Sequence, residues 1–123
     1  QFAEEERRIL VLAWMHRQIV GFGVLYPASP YAHKRHRGQI AVSVLPGHRR
    51  VGIGTMLVQQ LMHCAAKWEY EQIELELRQD NAAAAALYRQ RGFSTRLVRE
   101  QGYKLPQGYA DALVMERRLD YIR

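Results

Sequence analysis

The chain has 123 residues, of which 48% are hydrophobic and 24% are charged, with a formal net charge of +6. These values fit one globular domain and exclude disordered and fibrous classes. No apolar run approaches the roughly 20 residues of a membrane-spanning helix, and the single cysteine excludes an internal disulfide framework. The positive charge indicates an anionic partner, with nucleic acid, a membrane surface and a phosphorylated cofactor all open at this point.

The first 44 residues are predicted to form three strands. The runs ILVLAWM (9–15) and IVGFGVLY (19–26) are separated by HRQ, which predicts a hairpin through residues 16–18. The segment PASPYAHKRHRG (27–38) contains two prolines and many charges, and predicts an exposed loop. QIAVSV (39–44) is the third strand, and LPG ends it.

From Ile53 the apolar residues recur at steps of three and four, which predicts a helix as far as Trp68 with Cys64 as a core thiol. QIELEL (72–77) then alternates strictly, so Glu74 and Glu76 share the face opposite to the apolar side chains.

The last third of the chain is predicted to contain one helix and two strands. Asn81 is a suitable N-cap for AAAAALYRQR, and Gly92 suits the left-handed C-terminal cap. FSTRLVRE (93–100) and DALVMERRL (111–119) are the final strands, separated by a loop, QGYKLPQGY (101–109). The order β-β-β-α-β-α-β-β predicts an α/β sheet with helices packed on it.

The segment HRRVGIGT (48–55) has the composition of a phosphate-binding loop, with three alternatives. A nucleoside triphosphate loop lacks its Gly-Lys-Ser/Thr ending. A dinucleotide fold gains support from Glu74 and Glu76, but Leu57 occupies the third glycine position and LPGHRR separates strand from glycine. A pyrophosphate cradle would use the amides of residues 50–55 at a helix N-terminus. A plain helix start also fits an isolated Gly-x-Gly.

Two motifs together resemble the GNAT superfamily of acyl-CoA-dependent N-acyltransferases. RRVGIG matches its Arg/Gln-x-x-Gly-x-Gly/Ala loop through Arg49, Gly52 and Gly54. NAAAAALYRQRGF matches its second signature, Asn-x-x-Ala-x-x-Leu-Tyr-x-x-x-Gly-Phe, through Asn81, Ala84, Leu87, Tyr88, Gly92 and Phe93. The resemblance covers residues 39–93 and implies the GNAT fold, a mixed and mostly antiparallel central sheet flanked by helices.

Members of the superfamily normally begin with a strand and two helices that form part of the acceptor site. This chain starts near their second strand, and its first residue is Gln1 rather than Met. We therefore expect residues 1–123 to be one N-acetyltransferase domain that is incomplete at its N-terminus and lacks those elements.

The resemblance implies transfer of an acetyl group from acetyl-CoA to a primary amine by direct attack. ELELRQDNAAAAALY and GYADALVMERRL look like ribosomal-protein alanine N-acetyltransferases, whereas AHKRHRGQIAVSV looks like small bacterial amine acetyltransferases. The acceptor is therefore an amino acid, a peptide N-terminus or a small amine. The alternative is a non-catalytic acyl-CoA-binding regulatory module. We expect a cytoplasmic protein without metal, membrane or nucleic-acid partners, and leave a homodimer open.

Site residues follow from the same resemblance. It implies Tyr88 as the acid and Glu76 as the base, with Glu74 or a water relay as substitutes for Glu76. Its cofactor positions fall on Val42, Ser43, Val44, Arg49, Arg50, Val51, Gly52, Ile53, Gly54, Thr55, Asn81 and Tyr88. The pantetheine arm would pair with residues 42–44 as an extra strand. The basic run HKRHR (33–37) could contact an acidic acceptor or the 3′-phosphate of CoA, and Tyr103, Tyr109 and Asp111 lie in a tail region that borders the acceptor in related enzymes.

Overall fold

The computed structural model describes residues 7–49 and 52–119. Along these residues the elements follow the predicted order. They are β1 Ile9–Met15, β2 Gln18–Pro27, β3 Arg37–Val44, α1 Ile53–Lys67, β4 Gln72–Arg78, α2 Ala82–Gln90, β5 Ser94–Leu105 and β6 Gly108–Arg118. Single 3-10 turns at Ala32–Lys34 and Pro46–His48 stand on either side of β3.

The strands form one sheet in the order β1-β2-β3-β4-β6-β5. β3 and β4 are parallel and are joined through α1, because parallel neighbours need a long crossover connection. The other four pairs are antiparallel. The predicted mixed, mostly antiparallel sheet is therefore confirmed.

The predicted hairpin between β1 and β2 is confirmed. Its two turn residues, His16 and Arg17, have φ angles of 51° and 64°. Two consecutive left-handed residues give a turn whose twist matches that of the strands it joins.

Both helices pack on one face of the sheet and share one apolar core. α1 contributes Val58, Leu61 and Ala65, which have no exposed surface, and Cys64 is buried as predicted. The strict alternation in β4 places its three apolar side chains in this core, Ile73, Leu75 and Leu77. Neither described helix combines the length and the apolar character needed to cross a bilayer.

The opposite face of β1 and β2 carries large apolar side chains that are 41–63% exposed, namely Leu10, Leu12, Trp14, Ile19 and Phe22. The continuous apolar run of β1 predicted the strand, but it did not distinguish the buried face from this exposed one.

The predicted loop at 101–109 is wrong, because β5 continues to Leu105 and β6 begins at Gly108. Only Pro106 and Gln107 lie between the two strands. Gly102 sits in an irregularity of the β5–β6 register, and Pro106 occupies a two-residue turn followed by Gly108 at φ 134°. Neither residue therefore ends a strand, since bulges and tight turns accept them.

Candidate active site

A gap between β3 and β4 opens the sheet at its centre. The two strands pair only where residues 37–39 meet residues 72–74. β3 nevertheless continues to Val44 and β4 to Arg78, each still paired on its outer side with β2 and β6. The facing edges of residues 40–44 and 75–78 therefore diverge, and their backbone donors and acceptors have no partner strand across the gap.

A groove of about 430 Å³ lies along this gap, which is a size typical of ligand sites. Its walls are the end of β3, the loop that leads into α1, and the first turns of both helices. The lining residues are Val42, Ser43, Val44, Arg49, Gly52, Gly54, Thr55, Asn81, Ala83, Ala84, Leu87 and Tyr88.

The groove brings together most of the predicted cofactor positions from three separate segments. Ile53 is the exception among the described residues, because its side chain is buried against Val20 and Leu57. Only its backbone is available at the helix start. Arg50 and Val51 lie outside the described residues.

We call residues 49 and 52–55, the predicted anion-binding loop before α1, the cradle. Gly52 is the N-cap residue with φ 87°, a left-handed conformation that favours glycine. Among the described residues no side chain caps the helix, and its first turn contains no acidic residue. The amides of residues 53–55 have no intrahelical acceptor and carry the positive end of the helix dipole. Apart from its chain neighbours, a methyl group at Gly52 would meet no atom of residues 7–49 and 52–119 within 4 Å, so nothing in that part of the chain closes this side of the loop.

Gly54 and Arg49 shape the same end of the groove. A Cβ atom at Gly54 would lie 3.2 Å from Leu87 Cδ2, so glycine lets α1 approach α2 closely. Arg49 Nε donates a hydrogen bond to the carbonyl of Val44 at 3.2 Å, which holds a guanidinium group at the end of β3. The cradle is therefore cationic without a lysine.

Asn81 begins the second wall as its sequence position predicted. Its side-chain oxygen accepts a hydrogen bond from the Ala84 amide at 3.2 Å. The small side chains of Ala83 and Ala84 line the groove, so a ligand can approach the helix backbone. The left-handed cap at Gly92, with φ 91°, is also confirmed.

Tyr88 lines the groove from the next turn of α2. It is 7% exposed, and its ring contacts Phe93 edge-to-face with the centroids 5.7 Å apart. Burial raises the pKa of its hydroxyl to about 12. Within the described part of the chain the hydroxyl makes no hydrogen bond, so it is a protonated donor available to a ligand.

Glu74 and Glu76 lie on the opposite face of the sheet, as the alternation predicted. Glu74 Oε2 is 3.1 Å from Arg37 Nη2, and Glu76 Oε1 is 3.5 Å from Arg99 Nε. The Glu76 side chain is the more exposed of the two, at 37% against 26%. Glu76 also belongs to the part of β4 that borders the gap, whereas Glu74 lies where β3 and β4 still pair.

The two candidate catalytic groups therefore lie on opposite faces of the sheet, and Tyr88 but not Glu76 is among the described residues that line the groove. Tyr88 approaches from the helix face, and Glu76 stands on the open face.

The basic run at residues 33–37 lies at the start of β3, whereas the cradle follows its end. Eight residues of strand separate them by roughly 25 Å. This placement does not suit a contact with a phosphate next to the cradle, and Arg37 is already paired with Glu74.

Sequence reasoning did not assign Ala83, Ala84 and Leu87 as groove residues or Arg99 as the partner of Glu76. The helical period puts Ala84 one turn before Tyr88 and Ala83 one turn before Leu87, which is a usable signal. No sequence pattern indicated Arg99, because its contact with Glu76 crosses β6, which lies between β5 and β4.

Comparison with known proteins agrees with this geometry. The sequence model of the acetyltransferase (GNAT) family matches residues 1–93. The chain belongs to the acetyltransferase (GNAT) family, which confirms the resemblance found in its two motifs.

Similar proteins support the same assignment. The [ribosomal protein bS18]-alanine N-acetyltransferase of Salmonella typhimurium is 36% identical over 74 residues, which are 60% of this chain and 50% of that protein. The chain spans about half the length of the curated relatives it matches.

Solved structures share the fold. The ribosomal-protein-alanine N-acetyltransferase of Brucella melitensis superposes with a TM-score of 0.86 and 25% identity, covering 96% of this chain and 73% of that one. A Salmonella typhimurium protein assigned as an acetyltransferase, solved with its cofactor acetyl-CoA, gives a TM-score of 0.89 at 18% identity over 99% of this chain and 70% of that one.

Proposed function

We propose that this chain is an acetyl-CoA-dependent N-acetyltransferase that transfers an acetyl group directly to a primary amine. The observation that carries the proposal is the gap between β3 and β4, whose groove brings together the glycine loop before α1, Asn81 and Tyr88. Membership of the GNAT family and the names of the similar proteins support the same reaction.

The groove residues fit acetyl-CoA. The unpaired edge of residues 42–44 offers backbone groups that can bind the amides of the pantetheine arm as an added strand would. The amides after Gly52 and the guanidinium of Arg49 suit the pyrophosphate. Asn81 and the small side chains that follow it leave room for the arm along α2.

Bound acetyl-CoA supplies an acyl group activated as a thioester. In this proposal Glu76 accepts a proton from the acceptor amine, directly or through one water molecule, which frees the nitrogen lone pair for attack. Tyr88 donates its proton to the departing sulfur. Because burial raises the pKa of Tyr88 to about 12, its hydroxyl stays protonated at neutral pH.

The acceptor we favour is the N-terminal amine of a protein. The relatives at 35–36% identity are named for the alanine of ribosomal protein bS18. An open sheet face beside Glu76 suits a peptide end better than an enclosed cavity would, and a free amino acid or small amine is the competing acceptor.

The single buried thiol, Cys64, suits the reducing cytoplasm.

A thiol-release assay tests the proposal. The protein is mixed with acetyl-CoA and, in separate reactions, a peptide with N-terminal alanine, the same peptide with a blocked N-terminus, and a panel of small amines. We expect CoA release with the free peptide and none with the blocked one. Acetyl-CoA should also raise the melting temperature, while NAD and ATP should not. Stabilisation by acetyl-CoA without turnover of any amine would instead support a non-catalytic binding module.

A further inference from the structure

β5 contains a bulge that brings the long side chains of Arg99 and Tyr103 close together. Arg99 is opposite Ala112 and Tyr103 is opposite Ala110, so four steps along β5 correspond to two steps along β6. Four residues of regular strand span about 13 Å, whereas two span about 7 Å. The bulge therefore places Arg99 and Tyr103 next to each other on one face.

The bulge is fixed by specific contacts. Asp111 Oδ1 accepts a hydrogen bond from the backbone amide of Gln101 at 2.9 Å. Gln101 has φ 54°, an unfavourable conformation for a residue with a side chain. A Cβ atom at Gly102 would lie 2.5 Å from that of Ala112, so only glycine fits there. A residue in an unfavourable conformation beside a position that only glycine fits indicates that the bulge is a specific part of this fold.

Small residues on β6 let the side chains of β5 reach β4. Ala112 is fully buried beneath the contact, and Arg99 extends past it to bring Nε within 3.5 Å of Glu76 Oε1. Burial raises the pKa of the Tyr103 hydroxyl, the Glu76 carboxylate raises it further, and Arg78 lowers it. Tyr103 is therefore a neutral, half-buried neighbour of the same carboxylate.

We propose that the β5 bulge positions Glu76 for catalysis, with Arg99 orienting its carboxylate. This inference rests on the proposed function, in which Glu76 is the base. The ion pair engages Oε1 and leaves Oε2 to accept the proton of the amine. Arg99 and Asp111 are positioning residues, since they act through Glu76.

The chain offers a matched control. Arg118 Nε also lies 3.5 Å from a carboxylate oxygen, Glu116 Oε1, and the two arginine side chains are similarly exposed, at 67% and 61%. Arg118→Ala thus removes an arginine of similar exposure at the same distance from a different carboxylate, Glu116, which is 11% exposed. The Arg99–Glu76 pair is exposed on both sides and should contribute at most about 1 kcal/mol, so Arg99→Ala should fold. The melting temperatures of both variants are measured beside their rates, because Glu116 is less exposed than Glu76.

The test measures steady-state turnover of the full-length protein with acetyl-CoA and an active amine. Arg99→Ala should lower kcat about tenfold without changing the KM for acetyl-CoA, because misplacement of a base reduces rate rather than cofactor binding. Arg99→Lys should restore part of the rate, and Arg118→Ala should remain within twofold of the parent. Asp111→Ala, which releases the bulge without touching Glu76, should lower kcat in the same direction.

A double-mutant cycle with Glu76→Gln separates positioning from a general effect of charge. Arg99→Ala should cause no further loss in the Glu76→Gln background, since its role runs through that carboxylate. An equal loss in both backgrounds, or an Arg99→Ala variant that matches Arg118→Ala, would overturn the inference and leave the proposed function intact. A parent protein that turns over no amine would overturn both.

Discussion

Removal of the Tyr88 hydroxyl should separate catalysis from stability. Tyr88→Phe keeps the ring that contacts Phe93, and no hydrogen bond within the described residues is lost. At pH 8 the melting temperature should therefore change little. Turnover should fall by about 10²-fold or more, the range typical of a lost general acid, while acetyl-CoA affinity stays the same.

The same variant should alter stability at high pH by an amount that follows from its pKa. Burial raises the pKa of Tyr88 from its ordinary 10.0 to about 12. Below pH 10 the group is neutral in both folded and unfolded chains and has no effect. Between pH 10 and 12 the unfolded chain loses the proton first, so stability falls as pH rises. At about 1.4 kcal/mol per pH unit, the loss reaches about 3 kcal/mol near pH 12.

Tyr88→Phe has no such group and should escape this part of the loss. Urea unfolding of both proteins at pH 8 and pH 11.5 measures the difference, and Tyr109→Phe, at an exposed position on β6, serves as control. An unchanged turnover rate would remove Tyr88 from catalysis. If the parent and Tyr88→Phe lose the same stability at pH 11.5, the claim that the Tyr88 hydroxyl is buried with a raised pKa is refuted.

Two further substitutions test the base and the cradle. Glu76→Gln should reduce turnover, measured by thiol release, by about 10²-fold or more. Glu74→Gln should have a small effect, because Glu74 lies outside the gap and is paired with Arg37. Similar losses in both variants would contradict the choice of Glu76 as the base. Gly52→Ala should lower the melting temperature by about 4 °C, since an alanine in the left-handed conformation costs about 1 kcal/mol. The same variant should weaken acetyl-CoA binding, measured by calorimetry, because its methyl group enters the open side of the cradle. Gly47→Ala, at an exposed glycine without that conformation, should change neither quantity, and the Gly52 prediction fails if Gly52→Ala binds acetyl-CoA as the parent does.

Local patterns predicted the elements well where one period dominates. The alternation of residues 72–77 was sufficient to place Glu74 and Glu76 on the face away from the core, because side chains of a strand alternate regardless of context. Asn81 and Gly92 marked the ends of α2 correctly, since caps depend on backbone geometry within a few residues.

Features that depend on distant contacts could not be predicted in this way. The gap between β3 and β4 has no signal in the pattern of either strand, because it reflects where their register ends, and only the family resemblance implied it through an extra strand beside residues 42–44. Gly102 and Pro106 suggested a loop. In the structure Gly102 fits a bulge against Ala112, and Pro106 lies in the tight turn between β5 and β6. The Arg99–Glu76 contact depends on that bulge and on small residues in the strand between them.

Hydrogen exchange at the gap tests the central claim most directly. The free edge of residues 42–44 and the amides of residues 53–55 should exchange more slowly when acetyl-CoA is added, because the ligand would pair with the first and bind the second. NAD at the same concentration should leave both segments unchanged. Protection by acetyl-CoA at other segments only, or equal protection by NAD, would contradict the assignment of this gap as an acetyl-CoA site.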